Sequence, residues 1–563
     1  MTGALVLALL GALAARGDTG PDGNIVHVPE SRFVEVELGR AERLASAGRW
    51  KRAARIWVRI LREQRAARAG IQHVSPVGEG RYVSYVRLVR QRLLRLGPEG
   101  IAAVREAIGG EARVAFAAAR KRLDPGAYEA VWRSYPVARE GAEALERAGD
   151  LWYERGRGVR ALRCYGRARR VPDTTLDPDR LDRKIEAARR LVRAQEQAAR
   201  ERRAREASAP WIGRRQLPKL RTPAALGAMR ASHPLLPRGR AAMRWGRLRR
   251  TPPVVRLGQR IDPVGFADIL ASVAEGRCVV ANGRSIACYD VERGSALWRQ
   301  VVWEGEDHNP DLFYGATIAG GRVFAPFVVK VSRAEHYRGI PIKVPIPTRR
   351  LVAFDLETGR RVWDHTDPDD PFLSKASVAL PPVVCDGRLY AGAVVREGQL
   401  KNYLICVDAE TGALLWRRYL GAGQVEMTMF GEHAREPLAM QPVLAGDRIY
   451  HATGTGLLAC VSVPSGDLEW ITRYAALPIR SAQSYYAIRR PLVWRNTAPI
   501  VLDGVLVVAP VDASRCYGVD ADTGAIRWWI DGIRPSRLAG VHADRAVLLG
   551  PRRITLVEVG TGK

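Results

Sequence analysis

One string of eleven residues returns five times in the second half of this chain. Each copy ends in tryptophan and holds a glycine four positions before it. The copies are CYDVERGSALW (288–298), AFDLETGRRVW (353–363), CVDAETGALLW (406–416), CVSVPSGDLEW (460–470) and GVDADTGAIRW (518–528). A sixth copy begins as LVEVGTGK, and the sequence ends at Lys563. Copies spaced 53 to 65 residues apart indicate that one supersecondary unit is repeated.

Each repeat has the pattern of four short strands. Two apolar runs joined by a turn precede the string, as in PPVVCDGRLYAGAVV (381–395). Asp-Gly closes such hairpins because glycine accepts a positive φ. The string itself supplies a third strand, a tight turn at its glycine and a fourth strand that ends in tryptophan. Four strands per unit, repeated radially, predict a β-propeller of about six four-stranded blades over residues 256–563.

The recurring residues of the string have structural roles in such a fold. The acid is expected to accept N–H groups within the turn, and the glycine to supply its backbone conformation. The tryptophan is expected to fill the wedge between neighbouring sheets, with its N–H bonded to the next blade. The positions predicted to have these roles are Asp290, Gly294, Trp298, Asp355, Gly359, Trp363, Asp408, Gly412, Trp416, Gly466, Trp470, Asp520, Gly524 and Trp528. The string is therefore interpreted as architecture and not as a catalytic site.

The first half of the chain has the periodicity of amphipathic helices. In segments 34–64 and 144–173, Gly48 and Gly156 break the pattern, and a small and an aromatic residue follow each glycine at matching offsets. Both segments resemble tetratricopeptide repeats (TPR), so we predict a TPR-like α-helical array over residues 30–207. Such arrays bind peptides or partner proteins on their concave face. The alternative is that the helices only position the domain that follows.

Targeting and charge also constrain the function. An apolar run and a small-x-small motif over residues 1–15 predict a signal peptide and export to a bacterial periplasm or cell surface. Residues 208–255 are rich in Pro, Gly and Arg and predict a linker. The net charge is +30, of which residues 1–250 carry +27. Because only 9 of the 89 basic residues are lysine, the excess is interpreted as the codon bias of a GC-rich genome, and nucleic acid is not expected as a partner. No segment reaches transmembrane length.

The repeated string also resembles the tryptophan-docking motif of propellers of the pyrroloquinoline-quinone (PQQ) type. That family includes quinoprotein alcohol dehydrogenases and the lipoprotein scaffold of outer-membrane assembly, so the resemblance implies the fold more than the function. The enzymes have a disulfide between adjacent cysteines over the cofactor, whereas none of the seven cysteines here are adjacent. The enzymes normally have eight blades, and their calcium ligands and catalytic aspartate lie in motifs without a counterpart here. These departures favour a non-catalytic propeller.

Two acidic loops between the predicted blades are candidate cation sites. Asp307, His308 and Asp311 lie together in WEGEDHNPD, and carboxylates with a histidine bind cations such as calcium. The segment HTDPDDP (365–371) gathers three further aspartates. The spacing matches no known calcium loop, and the alternative is a solvated loop.

Three other features of the sequence have no assigned role. RAEHYRGIPIKVPIPTRR (333–350) is a basic insertion in the second blade, suited to folding over a propeller face or docking on the helices. Trp494 and Arg495 are candidates to line a central funnel. Trp245 in AAMRWGRL is a candidate for the missing outer strand of the sixth blade, which would close the ring. The alternative is a chain that once held more blades.

Together these observations predict a multidomain α and β protein, with a TPR-like helical array followed by a PQQ-like propeller. The expected function is that of a non-enzymatic, protein-binding scaffold of the cell envelope, with partners bound by the helical array and a propeller face and with no cofactor. One alternative is a PQQ-dependent dehydrogenase that binds PQQ with calcium. Another is a cell-surface sensor or carbohydrate-binding module.

Overall fold

The computed structural model describes residues 24–208 and 271–563, together with two short segments at 18–19 and 268–269. Gaps within these ranges are at 68–69, 79, 173–174, 282, 284, 292, 303–312, 331–334, 338–339, 344–347, 426–438, 464, 480–493, 495–496, 532–536, 543 and 550–553. The predicted signal peptide and nearly all of the predicted linker lie outside the described residues. The predicted bounds of the signal peptide, the helical array, the linker and the propeller stay predictions.

Eight α-helices fill the first half of the described chain. They are α1 (Arg32–Ser46), α2 (Trp50–Ala66), α3 (Tyr85–Leu93), α4 (Pro98–Arg122), α5 (Pro125–Ser134), α6 (Arg139–Glu154), α7 (Gly158–Ala168) and α8 (Pro178–Ser208). Ser31 and Asp124 begin α1 and α5 by accepting backbone N–H groups at 3.4 and 2.9 Å. The α1–α2 and α6–α7 pairs turn at Gly48 and Gly156, each with φ of +69°. None of these helices is both long and apolar enough to cross a bilayer.

The helices share two apolar cores. One joins α1, α2, α3 and α4 around the buried Trp57, and the other joins α4 to α8 around Trp132 and Tyr165. The Tyr165 ring lies so close to Gly149 that a Cβ there would be 2.3 Å from it. Such close approach of paired helices is the property that suggested TPR-like repeats. The helical region is confirmed, and its TPR identity stays a prediction.

The strands are β1 (Asp18–Thr19), β2 (Ile25–His27), β3 (Val74–Gly78), β4 (Arg81–Ser84), β5 (Asp268–Ile269), β6 (Ala271–Ala274), β7 (Arg277–Ala281), β8 (Ser285–Asp290), β9 (Ala296–Val301), β10 (Phe313–Tyr314), β11 (Thr317–Ala319), β12 (Arg322–Lys330), β13 (Glu335–Tyr337), β14 (Ile340–Lys343), β15 (Thr348–Asp355), β16 (Arg361–Asp364), β17 (Val383–Cys385), β18 (Arg388–Glu397), β19 (Gln399–Asp408), β20 (Leu414–Gly423), β21 (Val443–Ala445), β22 (Arg448–Ala452), β23 (Leu457–Ser462), β24 (Leu468–Arg473), β25 (Ile500–Leu502), β26 (Val505–Val508), β27 (Arg515–Asp520), β28 (Ile526–Asp531), β29 (Arg537–His542), β30 (Arg545–Leu549) and β31 (Ile554–Glu558).

Six antiparallel sheets follow one another along the second half of the chain. Blade 1 is β6–β9, blade 2 is β11, β12, β15 and β16, blade 3 is β17–β20, blade 4 is β21–β24, blade 5 is β25–β28 and blade 6 is β29–β31. Apolar cores lie between successive blades, from the pair 1 and 2 to the pair 5 and 6. The predicted fold class is confirmed: a helical N-terminal region is followed by propeller-like sheets of four strands. In blade 6 the described residues form three strands.

Strands from the first half of the chain extend two of these sheets. In blade 3, β2 pairs antiparallel with the outer strand β20, through Val26 opposite Gly423. In blade 4, β4 pairs antiparallel with the outer strand β24, and β3 pairs in turn with β4. Both sheets therefore become six strands wide. Sequence analysis did not predict these strands, which join the helical region directly to the propeller.

In blades 1 to 5, the turn between the first and second strands lies beside the turn between the third and fourth. Backbone hydrogen bonds link the two turns, for example Ala409 N to Gly387 O in blade 3 and Val463 N to Asp447 O in blade 4 (2.9 and 2.7 Å). We call the side of the propeller that holds these turns the turn face. The described turn at Gly398, between the second and third strands of blade 3, lies on the opposite face.

Candidate functional site: the junction between helices and propeller

The repeated aspartates accept hydrogen bonds inside the turns that they begin. Asp355 Oδ1 accepts the N–H and the hydroxyl of Thr358 (2.9 and 2.7 Å), which lowers the pKa of that carboxyl. Asp408 Oδ1 accepts the same two groups of Thr411 at 2.9 and 3.0 Å. Asp520 and Asp290 accept the N–H of the residue three positions later at 2.8 and 2.7 Å. These carboxylates hold turns together.

Each repeated tryptophan docks on the next blade. The indole N–H donates to a backbone carbonyl there, at Leu356 for Trp298 (2.8 Å), Ala409 for Trp363 (3.1 Å), Ala521 for Trp470 (3.3 Å) and Val559 for Trp528 (2.9 Å). The ring packs on the turn glycine of that blade. A Cβ at Gly359, Gly412, Gly466, Gly524 or Gly562 would lie 2.5–2.9 Å from the ring of the preceding tryptophan.

Two positions depart from this docking pattern. Trp416 Nε1 is buried and has no hydrogen-bond partner within the described chain, although its ring packs on Gly466. Around Gly294, in the turn of blade 1, no described residue beyond its chain neighbours places a heavy atom within 4 Å of the position of a Cβ. In the other blades a tryptophan ring packs on this turn glycine, but no described tryptophan packs on the turn of blade 1.

Of the two predicted acidic loops, the structure describes only the second. Asp307, His308 and Asp311 lie outside the described residues, as does Arg495. In the second loop, His365 is fully buried, and its ring nitrogens bond the backbone of Leu351 (2.9 Å) and Ala376 (3.1 Å). Burial lowers the pKa of His365, so a neutral, structural ring is favoured. No cluster of three metal-ligating groups occurs among the described residues.

The other unassigned features are placed only in part. Trp494 is buried in the core between blades 5 and 6, which is not a position in a solvent-lined funnel. Strands β13 and β14 form a hairpin within the basic insertion 333–350, whose last residues begin β15. Trp245 lies outside the described residues.

The most concentrated polar site is the junction between the helices and the turn face of blades 3, 4 and 5. Asp467 lies at its centre and is 2% exposed. Its carboxylate accepts the amide of Gln72 (2.9 Å) and forms an ion pair with Arg65 (3.3 Å). Gln72 also accepts the N–H of Leu468 (2.7 Å). The segment between α2 and β3 is thereby fixed to blade 4.

A second acid of the same blade binds helix α3. Glu469 forms ion pairs with Arg90 (3.0 Å) and Arg87 (3.6 Å). Arg87 also donates to the backbone carbonyl of Asp522 in the turn of blade 5 (2.7 Å). One helical turn of α3 therefore bridges two blades, directly after β4 has joined the sheet of blade 4.

Helix α7 contacts the first turns of blades 3 and 4. Asp386 in blade 3 forms an ion pair with Arg160 (2.5 Å). Asp447 in blade 4 forms ion pairs with Arg163 and with Arg167 (3.0 Å). These three arginines recur at intervals of three or four residues and share one side of the helix. One side of a single helix thus contacts the first turn of two neighbouring blades.

The electrostatics keep these acids charged. Burial alone would raise the pKa of Asp467, but Arg65, Arg133 and Arg90 hold it well below its usual range. Arg167 and Arg163 likewise lower the pKa of Asp447 against the effect of burial. Burial lowers the pKa of Arg65 to about 10, which still leaves it protonated at neutral pH. The junction is therefore a set of buried, mutually compensating charges.

A sequence signal for this junction exists and was missed. In the fourth copy of the string, Asp467 and Glu469 occupy positions where the other copies have no acid: Ser295, Arg360, Ala413 and Ala525 for the first, and Leu297, Val362, Leu415 and Arg527 for the second. Two acids on one repeat mark a surface that the other repeats do not share.

Successive four-stranded blades, in which a tryptophan of one blade packs on the turn glycine of the next, define a PQQ-like propeller protein. A model of the family described as outer membrane protein assembly factor BamB matches residues 243–528 and 400–563, which together cover more than half of the sequence. The chain belongs to this family. The match begins two residues before Trp245, inside the segment predicted as a linker.

Curated relatives share short stretches with the chain. Quinohemoprotein alcohol dehydrogenase ADH IIB of Pseudomonas putida is 27% identical over 132 residues, 23% of this chain and 19% of that protein. Polyvinylalcohol dehydrogenase of Sphingopyxis sp. is 25% identical over 195 residues, 32% of this chain and 23% of that protein. The chain thus spans less than a quarter of either relative. Among solved structures, BamB from Moraxella catarrhalis matches with a TM-score of 0.32 at 13% identity, covering 53% of this chain and 73% of that chain.

Proposed function

We propose that the protein is a non-enzymatic scaffold of the bacterial cell envelope that binds other polypeptides on its propeller. The observation that carries this proposal is the way the propeller holds its own N-terminal half. Two outer strands, β20 and β24, accept added strands, and acids of the turn face accept arginines. Main-chain pairing at a sheet edge with charge pairing beside it is a recurrent mode of polypeptide recognition.

The two kinds of contact have different roles in this mode of binding. An edge strand pairs with any extended backbone, so it contributes affinity with little selectivity. Buried ion pairs penalise a mismatched charge strongly, so Asp467 and Asp447 select an arginine-bearing surface. A scaffold needs both properties, because it holds a partner firmly and in one register.

Location in the envelope rests on two arguments. The apolar segment at residues 1–15 predicts export, and the family to which the chain belongs is described as an outer-membrane assembly factor. We infer that the mature protein works in the periplasm or at the cell surface, where partner proteins are its ligands.

A PQQ-dependent dehydrogenase is the second candidate function. The observation that favours it is the similarity to two alcohol dehydrogenases over parts of the propeller. Against it stands the absence of adjacent cysteines from the sequence, since the resemblance to quinoprotein enzymes implies such a pair over the cofactor.

Titration of the purified full-length protein with PQQ and calcium separates the two functions. A ligand at 100 times its dissociation constant stabilises the fold by about 2.7 kcal/mol, which shifts the melting temperature measurably. The scaffold proposal expects no saturable shift and no reduction of a dye with alcohols. It also expects the immobilised protein to retain a reproducible set of envelope proteins that free protein competes away. A saturable shift with dye reduction contradicts the proposal and supports the dehydrogenase.

A further inference from the structure

The outer strand of blade 5 ends in two consecutive tryptophans with opposite environments. Trp528 is buried on the turn of blade 6, whereas Trp529 is 55% exposed. The corresponding residue after the repeated tryptophan is Arg299, Asp364 or Arg417 in blades 1 to 3. It is apolar only in blades 4 and 5, as Ile471 and Trp529. An exposed tryptophan at a sheet edge is costly in water and frequent at binding sites.

Blade 4 shows what covers this position when it is apolar. Ile471 is 0% exposed, and the residue directly opposite it is Tyr82 of the added strand β4. The pair belongs to one apolar core with residues of blade 3. In blade 4 the added strand therefore covers the apolar residue after the repeated tryptophan, whereas in blade 3, where this residue is Arg417, the added strand β2 pairs further along β20, at Ala422 and Gly423.

Blade 5 lacks such a strand among the described residues, and the added strand β4 of blade 4 faces it. Strand β28 pairs with β27 on one side, and no described strand pairs with the other. Val83 and Arg81 of β4 lie opposite Trp470 and Thr472, whose side chains face blade 5. Because paired residues share a face, the β4 side chains also point toward blade 5.

We propose that the edge of β28 binds an extended segment of a partner protein, which adds as a fifth strand to blade 5. The proposal rests on the scaffold function and names its binding site. The occupant carries an apolar or aromatic residue opposite Trp529, as Tyr82 lies opposite Ile471. It also carries a carboxylate for Arg81, which forms no ion pair with the described residues. The site continues an existing interface, because Arg87 of the neighbouring helix already reaches the turn of blade 5.

The contacts around Trp529 fit such an occupant. Arg515 lies over the indole, 5.2 Å from the ring centroid, and is paired with Asp531 at 2.8 Å. Asp520 pairs with Arg527 in the same way. The charges along β28 are therefore mutually compensated, and within the described part of the chain the apolar ring and Arg81 are left without such a partner.

The test uses the full-length protein and a short fluorescein-labelled peptide of alternating threonine and valine, with a central tyrosine and a neighbouring glutamate. Fluorescence anisotropy measures its binding to wild type, Trp529→Lys and the matched control Arg299→Lys. Both variants place lysine after the repeated tryptophan, on blade 5 and on blade 1. We expect saturable binding to wild type and to Arg299→Lys, weakened roughly tenfold or more by Trp529→Lys. A peptide with proline on both sides of its tyrosine should not bind, because it cannot pair as a strand.

Two outcomes overturn the proposal. One is that wild type does not bind the peptide, or binds it as tightly as Trp529→Lys does. The other is a wild-type dimer in light scattering that Trp529→Lys converts to a monomer, which assigns the edge to a second copy. Melting curves confirm that Trp529→Lys remains folded. Failure of the scaffold function itself is recognised separately, by PQQ binding with dye reduction.

Discussion

The two halves of the molecule are held together by opposite kinds of contact. Successive blades are joined by a repeated apolar device, a tryptophan on a glycine turn, which recurs with nearly the same geometry from blade 1 to blade 6. The helices are joined to the propeller by contacts that occur once each, mostly buried ion pairs on Asp447, Asp467 and Glu469. The comparison teaches that regularity in the sequence builds the propeller, whereas departures from regularity mark what binds to it.

The largest expected effect is at a blade tryptophan. Trp470 is fully buried between blades 4 and 5, so Trp470→Ala should lower the free energy of unfolding by about 3–5 kcal/mol. Trp298 is only partly buried, and Trp298→Ala should cost clearly less. Urea unfolding of both variants measures the difference. Equal losses would contradict the view that burial of the ring sets its contribution.

Removal of a junction charge should have the second largest effect on stability. It should loosen the helical region more than the propeller. Asp467→Asn leaves Arg65 and its arginine neighbours without a compensating charge, at a cost of about 3 kcal/mol. Limited proteolysis should then cut the helical region before the propeller. The matched control is Asp503→Asn, an exposed turn residue of blade 5, which should change stability by less than about 0.5 kcal/mol. Indistinguishable variants would show that the junction charges are not coupled to docking.

Acid should destabilise the propeller at a higher pH than it destabilises the junction with the helices. Burial lowers the pKa of His451, between blades 3 and 4, from 6.5 to about 4. The unfolded chain therefore binds a proton that the folded chain excludes, and stability falls as the pH drops from 6.5 to 4, by about 3 kcal/mol in total. The pKa of Asp467 is lowered below 3.8, so the junction loses stability only in stronger acid. His451→Gln should reduce the change of melting temperature between pH 6.5 and pH 4. An unchanged dependence on pH would contradict the assignment of this range to His451.

The smallest expected effect is at a turn acid. Asp408→Ala removes an acceptor for two groups of Thr411 and should cost about 1 kcal/mol, as loss of a comparable cap does. Thermal melting checks this value. A loss as large as that of Trp470→Ala would mean that the turn, and not the tryptophan, holds neighbouring blades together.

The repeat made most of the propeller predictable from sequence. Periodic Asp, Gly and Trp residues predicted blades, turns and the contact between neighbours, because each role recurs and has a local cause. The turn at Gly294 has the form on which a tryptophan packs in the other blades, and the return of Trp245 in the outer strand of blade 6 stays a prediction.

The junction was not predictable by the same means. Strand β4 finds its partner β24 almost four hundred residues away, and no local pattern encodes that pairing. The arginine excess was interpreted as codon bias, yet Arg65, Arg90 and Arg167 each have a buried or half-buried acidic partner. The acids of the fourth repeat were the available signal, and they become visible only when the copies are compared position by position.

The two added strands also set an order of events during synthesis. Gln72 and Asp467, which bond directly, are 395 positions apart in the chain. Residues near the N-terminus are made first, but their sheet partners emerge only after blades 3 and 4 have been completed. Long-range pairing of this kind slows folding and leaves apolar surface exposed in the meantime. Strands β2 and β4 therefore stay unpaired with the propeller until residues 414–473 have been made. During that interval the exposed N-terminal half is a substrate for chaperones.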